Sequence, residues 1–197
     1  ADVKGLRMRA PGLGGQVWQK MGVSVMNLPA GEVFQALQTK TLDAAEFVGP
    51  YNDLALGLYQ ITRNYYMPSF TEPALAPELV VNKDKFMALP KDLQAIVRAA
   101  CEAEYNACFA SYTANDPRAL DTLVGKHGVK VLKFPDDIFE QGAKHARELI
   151  LEMRESKDAL TKKVIEHFIT SFNLLRQRTD QTDLPYLDAR LKHFNLK

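Results

Sequence analysis

The order of apolar and polar positions divides the chain into two halves with different patterns. In the first half, short apolar runs typical of strands alternate with runs of helical period. Strands are expected at Leu6–Arg9, Val23–Leu28, Leu42–Val48, Asn64–Pro68 and Leu79–Asn82, with helices at Gln16–Met21 and Glu32–Gln38. Because strands that alternate with helices form parallel βαβ units, this half predicts an α/β fold.

The second half is predominantly helical in pattern. A helix is expected to begin at Pro90 and to break or kink at Asp116-Pro117. A strand with period-two alternation follows at Gly128–Phe134. Helical pattern then continues over 135–178, with a break expected near Ser156, and the tail at Asp183–Lys197 is expected to form a loop and a short turn.

These patterns predict three segments. They are a ligand-binding α/β portion at 1–82, a helical segment with a returning strand at 83–134, and a long C-terminal helix with its tail at 135–197. The last helix carries apolar residues on more than one side, with Ile165 and Ile169 beside Val164 and Phe168. One interpretation is that such a helix crosses two domains or docks on a partner chain. The other is that it forms an ordinary helical pair, and the pattern leaves both interpretations open.

Composition narrows the class of protein. The 25 basic and 24 acidic residues leave a net charge of +1, which gives no reason to expect nucleic acid as a partner. No apolar run approaches the roughly 20 residues that span a bilayer. Cys101 and Cys108 lie too far apart on one helix for a disulfide and are expected to be free thiols. The chain begins without Met and without a signal-peptide pattern, so we expect it to derive from a longer or processed sequence.

Candidate binding residues follow the expected strands. Ligands of parallel α/β sheets bind outside the carboxyl ends of the strands. Arg9 ends the first strand, Glu46 and Phe47 end the third, and Phe70 and Glu72 follow a later one. If the βαβ prediction holds, an arginine, two glutamates and two phenylalanines converge at one edge.

This combination fits a carboxylate ligand bound together with a cation. The planar fork of an arginine grips a carboxylate through two hydrogen bonds. Two glutamates beside one arginine leave excess negative charge, which a hard cation with oxygen ligands neutralises. The alternative is that Arg9 lies on the surface and that Glu46 is a capping or solvated charge.

The sequence contains no strong catalytic or cofactor-binding motif. The run Gly12-Leu13-Gly14-Gly15 has Val17 where the dinucleotide fingerprint needs its third glycine. The four histidines are scattered, and no nucleophile stands beside a base. A lyase that uses the cation as a Lewis acid would lack a general base, so we do not expect an enzyme.

Three runs, VKGLRMRAPG at 3–12, LPAGEVFQALQ at 28–38 and DAAEFVGPYND at 43–53, carry a family resemblance. Together they resemble the solute-binding subunits of TRAP transporters, in the branch that binds 2-oxo acids and related monocarboxylates. The resemblance covers essentially the whole chain. It implies a periplasmic-binding-protein-like fold (type II) of two α/β domains around a cleft, a periplasmic location, and delivery of the ligand to a membrane permease.

The resemblance also assigns residue roles. It implies that Arg9 clamps the substrate carboxylate, with Phe47, Asn52 and Phe70 as further substrate-binding residues. It implies that Glu46, Glu72 and the Phe47 carbonyl bind sodium or calcium. Some members of the branch dimerise through an extended C-terminal helix, which predicts a homodimer here.

The chain departs from the family pattern in aromatic residues and in length. Phe47 stands where the family usually has Trp, and Ser69-Phe70 where it usually has Gly-Trp, so an aromatic wall remains without its indole donors. Typical members exceed 300 residues, so this sequence predicts an incomplete two-domain protein. The alternative function is a dimerising structural remnant that binds no ligand.

Overall fold

The computed structural model describes residues 3–72 and 77–194. Within these residues the strands are β1 Arg7–Arg9, β2 Ser24–Met26, β3 Ala44–Ala45, β4 Asn64–Tyr66 and β5 Lys130–Leu132. The α-helices are α1 Gly12–Lys20, α2 Ala30–Gln38, α3 Pro50–Ala55, α4 Lys83–Met87, α5 Lys91–Gly125, α6 Asp136–Arg154, α7 Ala159–Arg178 and α8 Leu184–His193. A short 3₁₀ turn lies at Leu58–Gln60 and a π-helical turn at Thr179–Asp183.

The first sheet is parallel, in the order β2-β1-β3. The chain leaves β1 through α1 to reach β2 on one side, and α2 then carries it back to β3 on the other side. The strand order therefore reverses between β1 and β3, where Arg9 pairs with Ala45. Such a reversal opens a crevice at the carboxyl ends of the two strands, which is where α/β proteins bind ligands.

A second parallel pair joins distant parts of the chain. Strand β4 pairs with β5, with Asn64 opposite Lys130 and Tyr66 opposite Leu132. The Met67 backbone N–H continues this ladder by donating to the Leu132 carbonyl at 2.9 Å. The pair fixes the direction in which residues 67–72 leave β4.

Burial of apolar side chains explains why α2 packs where it does. Its inward face contributes Val33 and Leu37, which form a core cluster with Leu42 and Leu58. Val33 is completely buried, as expected for a helix whose apolar residues recur at helical spacing. The burial of each of these side chains contributes about 1.5–3 kcal/mol to the stability of the fold.

The predicted strand at Leu79–Asn82 is wrong, since this stretch has no assigned secondary structure. Val80 is 85% exposed, so the apolar run neither pairs with a strand nor enters a core. Asn82 instead caps α4, because its side chain accepts a hydrogen bond from the Lys85 backbone N–H at 3.1 Å.

Of the break or kink predicted at Asp116-Pro117, the break does not occur, because α5 runs through this position from Lys91 to Gly125. A proline inside a helix costs about 3 kcal/mol, so tertiary contacts must offset it. Helix α3 packs here: the Asp116 carboxylate accepts a hydrogen bond from the Tyr51 backbone N–H at 3.0 Å, and Tyr51 lies edge-on to Tyr112.

The helical part of the chain is longer at its end than the pattern predicted. The break near Ser156 is confirmed, since α6 ends at Arg154 and α7 begins at Ala159. As far as residue 194 the tail does not form the expected loop, because a helical path continues through Thr179–Asp183 into α8; residues 195–197 lie outside the described part of the chain. Pro185 falls in the first turn of α8, where its missing N–H leaves no helix bond unmade.

The chain separates into two compact units, Ala1–Ala143 and Lys144–Lys197. The first contains both sheets and helices α1 to α5, and the second contains α7 and α8. The division into 1–82, 83–134 and 135–197 stays a prediction. Among residues 3–72 and 77–194, no helix has the length and apolar character that crossing a bilayer requires.

Candidate functional site

Arg9 lies at the carboxyl end of β1, as predicted. Its Nη1 donates to the backbone carbonyl of Glu46 at 2.7 Å, and its Nε donates to the Leu28 carbonyl at 3.3 Å. The guanidinium carbon lies 5.5 Å from the centre of the Phe47 ring, within cation–π range. These contacts hold the guanidinium half-buried at the switch point of the sheet.

Glu46 follows β3 directly, and its carboxylate is turned inward. One oxygen, Oε1, accepts a hydrogen bond from the Thr71 hydroxyl at 2.8 Å. The other, Oε2, is buried without a hydrogen-bond partner in the described part of the chain. Burial raises the pKa of the Glu46 carboxyl and nearby Glu72 raises it further, while Thr71 and Arg9 act in the opposite direction. An unpartnered buried carboxylate oxygen is costly, so its presence indicates a missing partner.

The segment after β4 brings hydroxyl groups to this carboxylate. The Ser69 hydroxyl oxygen accepts from the backbone N–H groups of Thr71 and Glu72, each at 3.3 Å. This local turn, a common use of serine, fixes the backbone that carries Thr71 and Glu72. Sequence reasoning singled out Glu72 but missed Thr71 and the hydroxyl of Ser69. The available indication was the run of hydroxyl residues directly before a carboxylate.

The remaining predicted substrate residues have different surroundings. Phe47 lies against Arg9, as described above. Phe70 belongs to an aromatic cluster, 4.8 Å from Trp18, 5.9 Å from Phe134 and 5.7 Å from Phe139 between ring centres. Asn52 lies on α3 with its side-chain Oδ1 buried and unpartnered among the described residues.

A second buried polar cluster was not foreseen. Asp53 on α3 is 6% exposed, and its Oδ2 accepts a hydrogen bond from the Tyr65 hydroxyl at 2.6 Å. Burial raises the pKa of Asp53 to about 6, with a further increase from Asp116, while Tyr65 opposes it. Burial also raises the pKa of Tyr65. The cluster links α3, β4 and α5, and only tertiary contact assembles it.

The donor set at Glu46 fits a hard cation. No cluster of three or more His, Cys, Asp or Glu side chains suited to a metal occurs in the two described ranges. The predicted set of Glu46, Glu72 and the Phe47 carbonyl would supply two carboxylates and one backbone oxygen. Calcium and sodium take oxygen ligands of these kinds.

The family model described as bacterial extracellular solute-binding protein, family 7, matches residues 1–157. The chain belongs to this family. The predicted resemblance to TRAP solute-binding proteins and the α/β periplasmic-binding-protein fold are thereby confirmed. Proteins of this family bind solutes outside the cytoplasm.

A curated member of the family is similar over most of this chain. It is the monocarboxylate 2-oxoacid-binding periplasmic protein of Nostoc sp., 39% identical over 168 residues. The match covers 85% of this chain and 46% of that protein. The present chain therefore spans about half the length of this relative.

Solved family structures are similar at the level of the fold. TRAP periplasmic solute-binding proteins of Pseudoalteromonas atlantica, with bound sodium and pyruvate, and of Colwellia psychrerythraea, with bound calcium and pyruvate, are each 32% identical. Their TM-scores are 0.85 and 0.84, and each match covers 95% of this chain and 57% of the other. A protein of Bordetella bronchiseptica, described as a mixed-occupancy dimer with calcium and picolinate, is 31% identical with a TM-score of 0.75, over 95% of this chain and 57% of that one.

Proposed function

We propose that this chain supplies the carboxylate and cation site of a periplasmic TRAP solute-binding protein for a small monocarboxylate such as a 2-oxo acid. The observation that carries the proposal is the buried, unpartnered Oε2 of Glu46 beside the guanidinium of Arg9. A site with a fixed arginine and an unsatisfied carboxylate suits an anion that arrives with a cation. Similar solved proteins hold pyruvate with sodium or calcium.

In this proposal Arg9 binds the substrate carboxylate. Its bonds to Glu46 and Leu28 use two of its N–H groups and orient the plane, which leaves others able to donate to a ligand. A guanidinium that is already oriented loses less rotamer entropy on binding than a mobile one. Phe47, which lies against Arg9, excludes water from one side, and Asn52 and Phe70 complete the set of proposed substrate residues.

The proposed cation ligands are Glu46, Glu72 and the backbone carbonyl of Phe47. Burial is the main cause of the raised pKa of Glu46, and repulsion by Glu72 adds to it; a cation between the ligands would relieve both effects. When bound, sodium or calcium supplies positive charge for an oxygen of the substrate. Within residues 3–72 and 77–194, the site offers oxygen ligands and no base beside a nucleophile, so we propose binding without catalysis.

The partners follow from the family. A periplasmic binding protein hands its ligand to a membrane permease, and we propose TRAP permease subunits in that role. The periplasm is the proposed location, in line with the Nostoc relative.

Calorimetric titration tests the binding proposal. The chain is titrated with pyruvate and 2-oxobutyrate, with sodium or calcium present or absent. We expect heat that depends on the cation, and an affinity that falls by about 30-fold or more in Arg9→Ala, the equivalent of about 2 kcal/mol.

Arg7→Ala is the matched control. Arg7 lies on the same strand, but its guanidinium forms a bidentate pair with Asp43, with Nη2 2.6 Å from Oδ1 and Nε 2.9 Å from Oδ2. Removal of the Arg7 guanidinium should leave pyruvate affinity within about threefold of the wild-type value, because the ion pair is exposed and exposed ion pairs contribute little to stability. Equal affinities of Arg9→Ala and wild type would refute the assignment.

Self-association is a second proposed property, and it is the basis of the alternative function. Helix α7 exposes a stripe of large apolar side chains on one side, while Ile165 on another side is 6% exposed. The stripe consists of Val164, Phe168, Phe172 and Leu175. Phe168 and Phe172 stack at 6.1 Å and line an open groove of about 380 Å³. We propose that a second copy of the chain covers this stripe, and a chain that dimerised without binding any acid would be the structural remnant.

A further inference from the structure

The contacts of Thr71 separate the two oxygens of Glu46. The Thr71 hydroxyl donates to Oε1 at 2.8 Å, while Oε2 is buried and unpartnered. A carboxylate without such a bond rotates about its terminal torsion and presents either oxygen or both. The hydroxyl therefore selects which oxygen remains for a ligand.

Thr71 is itself held in place from two directions. A Cβ built on Gly14 would lie 3.0 Å from the Thr71 Cβ, so the side chain packs directly on the backbone of α1. On its other side, the Thr71 backbone N–H donates to the Ser69 hydroxyl, and the two hydroxyl oxygens are 3.3 Å apart. The Thr71 side chain therefore has little freedom to move. A side chain must be fixed in this way if it is to orient the Glu46 carboxylate.

We propose that Thr71 is a positioning residue of the cation site, whose hydroxyl group occupies Oε1 of Glu46 and thereby leaves Oε2 as the cation ligand. This inference rests on the proposed function. Groups that hydrogen-bond to metal ligands commonly change metal affinity by 10–100-fold when they are replaced, because they fix the orientation of the ligand. Ser69 supports the same arrangement indirectly, through the backbone of Thr71 and Glu72.

Two variants of Thr71 separate positioning from packing. Thr71→Val keeps both branches of the side chain, and with them the contact with Gly14, but removes the hydroxyl. Thr71→Ser keeps the hydroxyl and removes the methyl group that lies 3.5 Å from the position of a Cβ on Gly14. Calcium affinity is measured by calorimetry in the presence of pyruvate, and the melting temperature is measured without either ligand.

We expect calcium affinity to fall about 10–100-fold in Thr71→Val and to stay within about threefold of wild type in Thr71→Ser. A purely structural role would make affinity follow the melting temperature of each variant. Wild-type calcium affinity in Thr71→Val, or equal losses in both variants, would overturn the role of Thr71 and leave the proposed function intact. Absence of cation binding by the wild-type chain would overturn both.

Discussion

Arg9 Nη1 donates a hydrogen bond of 2.7 Å to the backbone carbonyl oxygen of Glu46. This bond joins the carboxyl ends of two adjacent parallel strands, β1 and β3, beyond their last paired residues Arg9 and Ala45. It makes the proposed substrate arginine a support for the proposed cation ligand. The two halves of the site are therefore expected to respond together when Arg9 changes.

Arg9→Lys tests this dependence. A lysine keeps the charge but offers a compact ammonium in place of a planar fork, so it cannot hold the Glu46 carbonyl and a carboxylate ligand in one plane. We expect pyruvate affinity to fall about tenfold and calcium affinity to fall with it, measured by calorimetry. Arg7→Lys on the same strand is the control and should change neither. A loss of pyruvate affinity with unchanged calcium affinity would show that the two halves are independent.

The buried carboxyl of Asp53 predicts a pH dependence of stability. Its folded-state pKa of about 6 exceeds its ordinary value of 3.8, so the folded chain holds this proton more tightly than the unfolded chain. Its contribution to stability is full below pH 3.8 and is lost as pH rises through 6, a change of about 3 kcal/mol. Asp53→Asn should remove this dependence and be more stable than wild type at pH 7.5. Urea unfolding at pH 3.8 and at pH 7.5 measures both effects.

Asp43→Asn tests a carboxyl group whose pH dependence of stability has the opposite sign. Hydrogen bonds from Arg7 lower the pKa of the exposed Asp43 to about 2, so its contribution is present above the ordinary value and lost as pH falls through 2. This variant should be less stable than wild type at pH 7.5. An Asp53→Asn variant whose unfolding free energy followed the wild-type pH profile would contradict the buried, proton-holding state of Asp53.

Two glycines predict opposite effects of the same substitution. A Cβ at Gly15 in α1 would overlap the backbone carbonyl oxygen of Ala10, and backbone cannot move aside cheaply. Gly15→Ala should therefore lower the free energy of unfolding by at least about 1–3 kcal/mol. A Cβ at Gly31 in α2 would lie in open space, so Gly31→Ala should raise the free energy of unfolding by about 0.4–1 kcal/mol. Chemical denaturation measures both, and a neutral Gly15→Ala would show that α1 does not pack this closely on Ala10.

The apolar stripe on α7 predicts concentration-dependent assembly. Phe172 is 53% exposed, and a charge there would have to be desolvated in an interface between copies. We expect light scattering at micromolar concentration to detect a dimer of the wild-type chain and a monomer of Phe172→Glu. Thr170→Glu, two positions away and therefore on the other side of the helix, should remain a dimer. A monomeric wild-type chain would refute the proposed self-association.

The sequence predicted that the first half of the chain forms a parallel α/β sheet, and it placed Arg9 and Glu46 at the carboxyl ends of two strands. Arg9 and Glu46 were located from periodicity alone, because a strand that alternates with helices has a recognisable carboxyl end. The strands are shorter than their apolar runs: Leu42–Val48 contributes two paired residues, Ala44–Ala45. Apolar residues beside them, such as Leu42, serve the core without extending the ladder.

Errors arose where local pattern and tertiary contact disagreed. The helix through Pro117 persists because Asp116 and Tyr112 contact α3, and these contacts lie 61–65 positions apart in sequence. The apolar run at Leu79–Asn82 lacks a neighbouring strand, although its composition favours one. Neither outcome is encoded within a window of local sequence.

By itself, the sequence determined the fold class, the family and the residue types that a carboxylate and a cation require. Periodicity and motif are local, and residue type alone fixes which functional group Arg, Glu and Phe carry. Only the tertiary structure decided that Thr71 binds one oxygen of Glu46 and leaves the other buried, and that the buried Asp53 accepts a hydrogen bond from Tyr65 near the charge of Asp116. Hydrogen bonds of 2.6–3.0 Å between residues 12 to 65 positions apart depend on how strands and helices pack, which is a property of the whole fold.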